Sequence, residues 1–92
     1  MGSTSKIMNN DYKLNLLLAM NALVDKGKIK RKILRKYAER YLDQQVEPGD
    51  AILAALEQMR DEGKIKRDKI LREVDKLKLD PRYRAAVERF FS

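Results

Sequence analysis

The 92-residue chain carries 21 lysines and arginines against 14 aspartates and glutamates, is 43% apolar, and contains neither cysteine nor histidine. That size predicts one domain, and the missing residue types exclude disulfides, a thiol nucleophile and the usual zinc or haem ligands, so no cofactor and no metal are expected. No run of about 18 apolar residues occurs, and the opening MGSTSKIMNNDYK has no signal-peptide core, which predicts a soluble cytoplasmic protein without a membrane partner.

Apolar spacing predicts an all-α fold: a compact bundle of four to five short helices over residues 11–92, preceded by a flexible N-terminus at 1–10. The first helix is expected from about Asp11 to Asp25, capped by Asn10 or Asp11, with Leu16, Leu17, Met20, Leu23 and Val24 on its buried face. Gly27 ends it. Lys28-Ile29-Lys30 alternates polar and apolar residues, so it reads as extended, and the second helix starts near Arg31. That helix, about 31 to 43, turns Ile33, Leu34, Tyr37, Ala38 and Tyr41 inward and Lys32, Arg35, Lys36 and Arg40 outward.

Pro48 and Gly49 mark a loop or a helix start. The third helix, about 50 to 62, is expected to bury Ile52, Leu53, Leu56 and Met59, and Gly63 stops it. Lys64-Ile65-Lys66 repeats the extended turn before a fourth helix near 67 to 78, which presents Ile70, Leu71, Val74 and Leu77. Asp80-Pro81 is a cap followed by a first-turn proline, and it opens a fifth helix with the stripe Tyr83, Ala86, Val87, Phe90 and Phe91.

DKGKIKRKILRK at 25–36 and DEGKIKRDKILR at 61–72 are nearly the same phrase. Two units are too few for a solenoid, so the two Gly-Lys-Ile-Lys turns are expected to reflect either a two-unit pseudo-symmetric bundle or chance reuse of a helix–turn–helix idiom. Calcium binding fails on spacing: with Gly63 at the sixth loop position, Arg60 and Lys69 occupy places where a hard dication needs carboxylate oxygen. One glycine without a following Gly-Lys-Ser/Thr cannot form a phosphate loop either. Catalysis is not expected, because no nucleophile, base and orienting group can be assembled without histidine or cysteine.

LEQMRDEGKIKR, residues 56 to 67, resembles the end of a winged-helix recognition helix entering its first wing strand, through Leu56, Met59, Gly63 and Ile65. Val46, Glu47, Pro48 and Ile52 match the turn and first buried position of that helix, and Ala38 the small residue of the helix-turn-helix. The resemblance covers about 12 to 67. It implies a minimal sheet with Lys28–Lys30 beside Lys64–Lys66, and a recognition helix showing Asp50, Ala51, Leu53, Ala54, Glu57 and Gln58 outward. Arg82 and Arg84, with Tyr83, stand in the first turn of the last helix, where helix-turn-helix readers make their contacts.

The charge is unevenly placed. Residues 1–25 cancel, 43–92 hold eleven basic and eleven acidic side chains, and the whole surplus of +7 lies in 26–42, where Lys26, Lys28, Lys30, Arg31, Lys32, Arg35, Lys36 and Arg40 face only Glu39. Focused positive charge attracts polyanions. The candidate nucleic-acid-binding set is therefore Lys28, Lys30, Arg31, Lys32, Arg35, Lys36, Arg40, Lys64, Lys66, Arg67, Arg82 and Arg84. Tyr37 and Tyr41, one turn apart, would either stack on bases or, as the favoured reading, sit in the core with wet hydroxyls. The expected function is a small non-enzymatic nucleic-acid-binding protein, DNA ahead of RNA, acting as a regulator or accessory factor. The alternative is a protein-interaction module, a small inhibitor or adaptor, docking its basic face on an acidic protein surface. Leu53, Leu79 and Phe90-Phe91 are expected to be exposed enough to serve a partner or a homodimer.

Overall fold

A computed structural model describes residues 2–92, with side chains from Tyr12 onward. Its backbone forms five helices: α1 (Gly2–Asp25), α2 (Arg31–Leu42), α3 (Pro48–Asp61), α4 (Arg67–Leu77) and α5 (Pro81–Phe90). The flexible start expected over 1–10 falls on Met1 and on side chains outside the described residues. Since neither glycine nor proline interrupts residues 3–26, α1 runs from Gly2, and Asn10 and Asp11 fall inside the helix instead of capping it.

The twin phrases are helix stops of one design. Gly27 and Gly63 both hold φ at +75°, a left-handed conformation that costs a residue with a Cβ about 1–2 kcal/mol. The Gly27 amide donates to Val24 O (3.0 Å) and the Lys28 amide to Leu23 O (2.9 Å). The Gly63 amide donates to Arg60 O (3.0 Å) and that of Lys64 to Met59 O (2.8 Å). Each pair closes a Schellman motif over the orphan carbonyls of the helix that ends there. The next residue in each phrase, Ile29 or Ile65, is then driven into the core at 2% or 7% exposure. Lys30 and Lys66 follow in extended conformation as the N-cap residues of α2 and α4.

This geometry corrects the expected sheet. Ile29 also donates back to Leu23 O (3.4 Å), so amides that a two-stranded ladder needs are already turned onto α1 and α3, and no strand forms among the described residues. The two turns do come alongside each other, since Lys28 and the segment Gly63–Lys66 line one shallow basin.

The core draws on every helix. Leu16, Met20 and Leu23 of α1 meet Leu56 and Met59 of α3, Ile70 and Val74 of α4, and Val87 and Phe90 of α5, all at most 2% exposed. A radius of gyration of 13.1 Å is that of a folded chain of about this length. α2 packs chiefly against α3, while α5 packs against α1 and α4. The second phrase carries one extra residue, Asp68, ahead of its Ile-Leu pair, and the two copies bury that pair differently: Ile70 and Leu71 of α4 are buried, whereas their counterparts Ile33 and Leu34 of α2 are only half-buried. In α3, Ala51 and Ala55 are buried and Ile52 and Leu53 half-buried, so the helix is rotated from its expected face. Ala51, expected outward, has no exposed surface.

Asp80 caps α5 as expected, its carboxylate accepting from the Arg82 amide at 2.8 Å. Phe90 is core at 2% exposure and does not serve a partner surface; Leu53, Leu79 and Phe91 are half-buried.

Gly27→Ala and Gly63→Ala are each expected to lower stability by about 1–2 kcal/mol through backbone strain alone, because a Cβ at either site would meet open space. Lys78 holds φ 54° at the end of α4, so Lys78→Gly should raise stability by about 1 kcal/mol. Ile29→Ala and Ile65→Ala should cost roughly 2–5 kcal/mol each. Urea denaturation of the five variants measures these differences.

Candidate nucleic-acid interface

The outward face of α2 follows from its period. Tyr37 and Ala38 are buried and Ile33, Leu34 and Tyr41 half-buried, which leaves Lys32, Arg35, Lys36 and Arg40 exposed on the opposite side. Lys32, Arg35 and Lys36 make no ion pair or hydrogen bond with any of the described residues. Glu39, the one carboxylate on the helix, pairs with none of them among those residues either. The start of α2 adds to the imbalance. Its first turn holds no acidic residue, and Lys30, Arg31 and Lys32 crowd an end where the helix dipole already favours anions.

The other candidates divide by what holds them. Arg31 is paired with Asp25 (2.8 Å) and Arg67 with Asp68 (3.2 Å). Arg82 grips the Asp80 carboxylate with its guanidinium (3.0 Å) as well as its amide. Arg84 is held between Asp75 (2.7 Å) and Glu88. Arg40 lies over the Tyr37 ring, 5.1 Å from its centroid, a contact that leaves its outer edge to solvent. Because α5 packs on α1 and α4 and α2 on α3, Arg82 and Arg84 belong to a different part of the molecule from the α2 face.

Lys64 and Lys66 sit with Lys28 around the α3–α4 turn, joined by Lys69, which the sequence did not single out. The signal for Lys69 was present in the second copy of the repeat, but α4 intersperses four basic with three acidic side chains, and the folded chain sets this lysine with Lys28 beside the turn. Below them lies Glu73, 8% exposed, with Lys28 Nζ 3.6 Å away on one side and Lys76 Nζ 3.8 Å on the other. Its Oε1 accepts no hydrogen bond. This carboxylate draws Lys28 inward and offsets part of the basin's charge, so the α2 face is the less neutralised of the two.

Tyr37 and Tyr41 serve structure. The Tyr37 hydroxyl donates to Glu62 Oε1 (2.6 Å) and that of Tyr41 to Gln58 Oε1 (2.8 Å), while Gln58 Nε2 donates to Glu62 Oε2 (2.9 Å). The chain of bonds latches α2 to α3 and fixes the rotation at which α2 presents its cations. Donation from Tyr37, then from Gln58, holds the Glu62 carboxyl below its ordinary pKa, and the same Tyr37–Glu62 bond raises the phenol.

No family model, curated protein or solved structure matches the chain. Among the described residues there is no metal-binding group of acidic residues, and no helix is long and apolar enough to cross a membrane.

The latch sets a pH signature. A lowered Glu62 pKa stabilises the fold above the ordinary carboxylate value of 4.5 and ceases to do so as pH falls through the lowered one. A raised Tyr37 pKa stabilises below the ordinary 10.0 and is lost as pH climbs through the raised one. The stability difference between the wild type and Tyr37→Phe should therefore be flat from about pH 5 to about pH 9 and shrink on both sides, as denaturation midpoints across pH would record.

Proposed function

We propose that the protein binds nucleic acid through the phosphate backbone, without reading sequence, using the outward face of α2. The observation that carries this reading is the set Lys32, Arg35 and Lys36, exposed together on one helix face and unpaired among the described residues. Cations with carboxylates of their own must first give up those pairs to reach a phosphate, whereas cations without partners meet it directly and release counterions when it arrives. Lys30 and the first turn of α2 extend the face toward free backbone amides. Lys64, Lys66 and Lys69 provide a second, weaker contact near the same end of α2, because Lys28 lines their basin and lies just ahead of that helix.

Backbone contact is preferred over base readout because of what α3 presents. The winged-helix resemblance would make α3 the reading helix, yet Asp50 is paired with Lys13 and Gln58 is taken up by Tyr41 and Glu62. Base recognition needs free donors and acceptors reaching into a groove. Of that resemblance, only the α2–α3 helix pair enters the proposed mode of binding.

Random-sequence duplex DNA and RNA titrated at two or more salt concentrations test the reading. Affinity should fall steeply with salt, and Lys32→Glu/Lys36→Glu should weaken binding and reduce the slope of log affinity against log salt by roughly two, one for each lysine that no longer engages a phosphate. These side chains are exposed and make no hydrogen bond or ion pair among the described residues, so circular dichroism should be unchanged. Binding that ignores salt, or a variant that binds like the wild type, would overturn the reading.

A further inference from the structure

α2 leans on α3 instead of on α1, and between α1 and α2 this leaves an apolar groove of about 470 Å³. Leu17, Leu34 and Ile52 form its half-buried floor, and Leu14, Leu18 and Leu42 stand along its edges at 56%, 42% and 45% exposure. Charge and apolarity elsewhere on this surface follow the helix period, but here three leucines remain in water on a chain whose core is otherwise closed. Exposed apolar residues grouped around a concavity mark interaction sites more often than singly scattered ones do.

The walls specify the shape of the occupant. Leu14 and Leu18 lie one turn apart on α1. Leu34, Ala38 and Leu42 lie one turn apart on α2, with the alanine as a notch between two leucines. Two ridges of four-residue spacing, separated by a channel, are the surface into which the ridge of a third helix fits. The charge of the walls specifies its chemistry. Arg31 and Arg35, again one turn apart, edge the groove on the α2 side, and no acidic residue lines it among the described residues. Arg35 is unpaired among those residues, and the Arg31–Asp25 pair is exposed and exchangeable. A second copy of the chain would bring another +7 toward this rim, so self-association works against the same field.

We propose that this groove docks an amphipathic helix of an acidic protein partner, whose leucine-type side chains fill the channel and whose carboxylates, spaced one turn apart, face Arg31 and Arg35. The nucleic-acid face and this groove then occupy adjacent flanks of α2: Lys32 and Lys36 lie on the outward side, Arg31 on the groove side, and Arg35 on the border the two share. A small protein arranged in this way can hold a polyanion and an acidic helix at once, as an adaptor does.

Two synthetic helices of about four turns test it, each with leucines at three- and four-residue spacing: one carries glutamates along one flank, the other lysines at the same places. Titrated into methyl-labelled protein, the glutamate peptide should shift the methyls of Leu14, Leu18 and Leu42 and bind at least about fivefold tighter than its lysine twin. Arg31→Glu/Arg35→Glu should reverse the preference, and Leu14→Gln/Leu18→Gln should abolish binding of both peptides while leaving salt-dependent DNA binding in place. Equal binding of the two peptides, no binding, or shifts confined to other methyls would overturn the proposal without touching the phosphate-binding reading. So would sedimentation showing the protein alone to be a dimer, with these same methyls shifting on dilution; a second copy would then be the occupant.

Discussion

Two backbone positions held at positive φ, Gly27 and Gly63, govern most of what this chain builds. At each, a glycine lets the amides that follow turn back onto the carbonyls of the helix just ended. The chain then leaves in a direction that puts an isoleucine into the core and the next helix two residues further on. Helices α1 and α3 are thereby closed without side-chain caps at their ends, and α2 and α4 begin from lysines that supply no cap of their own. The charged residues in these turns tolerate such positions because backbone hydrogen bonds and isoleucine burial hold the geometry. Lysine and arginine are then left for solvent or for a ligand.

The electrostatics of the surface divide along the same lines. On α5 and around α4, cations and carboxylates alternate and meet: Arg84 with Asp75 and Glu88, Arg82 with Asp80, Lys76 with Glu73. On α2 the alternation is missing. The Tyr37–Glu62 and Tyr41–Gln58 bonds consume the polar groups that α3 offers to α2, and they do so on the inner side, away from Lys32 and Lys36. The helix is thus anchored by neutral and acidic groups on one face and left electrostatically bare on the other. Its lean toward α3 is also what opens the channel beside α1, so one packing choice generates both the free cations and the leucine-edged groove.

Much of this was legible in the residues alone. Glycine stops, the helix starts at Arg31 and Arg67, the Asp80-Pro81 opening of α5 and the outward set on α2 all follow from hydrogen bonds and side-chain periods that span six residues or fewer, and such rules need no knowledge of the rest of the chain. The concentration of surplus charge in 26–42 was equally plain. The early start of α1 escaped because polar residues in 2–10 carry no apolar period, although nothing there breaks a helix. Beta pairing of the Lys-Ile-Lys segments was the wrong reading of a sound observation. Alternation predicts an extended backbone, but whether extended residues pair depends on whether their amides are free, and here the glycines had turned them aside.

The order of residues was enough to place most helix boundaries, to mark the apolar side of most helices, and to locate the excess cations along the chain. It took the closed fold to establish which of those cations keep their charge available, that Lys28 bends toward Glu73, that Lys69 joins the turn between α3 and α4, and that leucines on α1 and α2 border an open channel. The physical reason is range. Helix stops and faces are settled by bonds between near neighbours in the chain, whereas neutralisation of a charge or covering of a leucine depends on partners tens of residues away, such as Glu73 for Lys28, whose positions exist only once the core has closed.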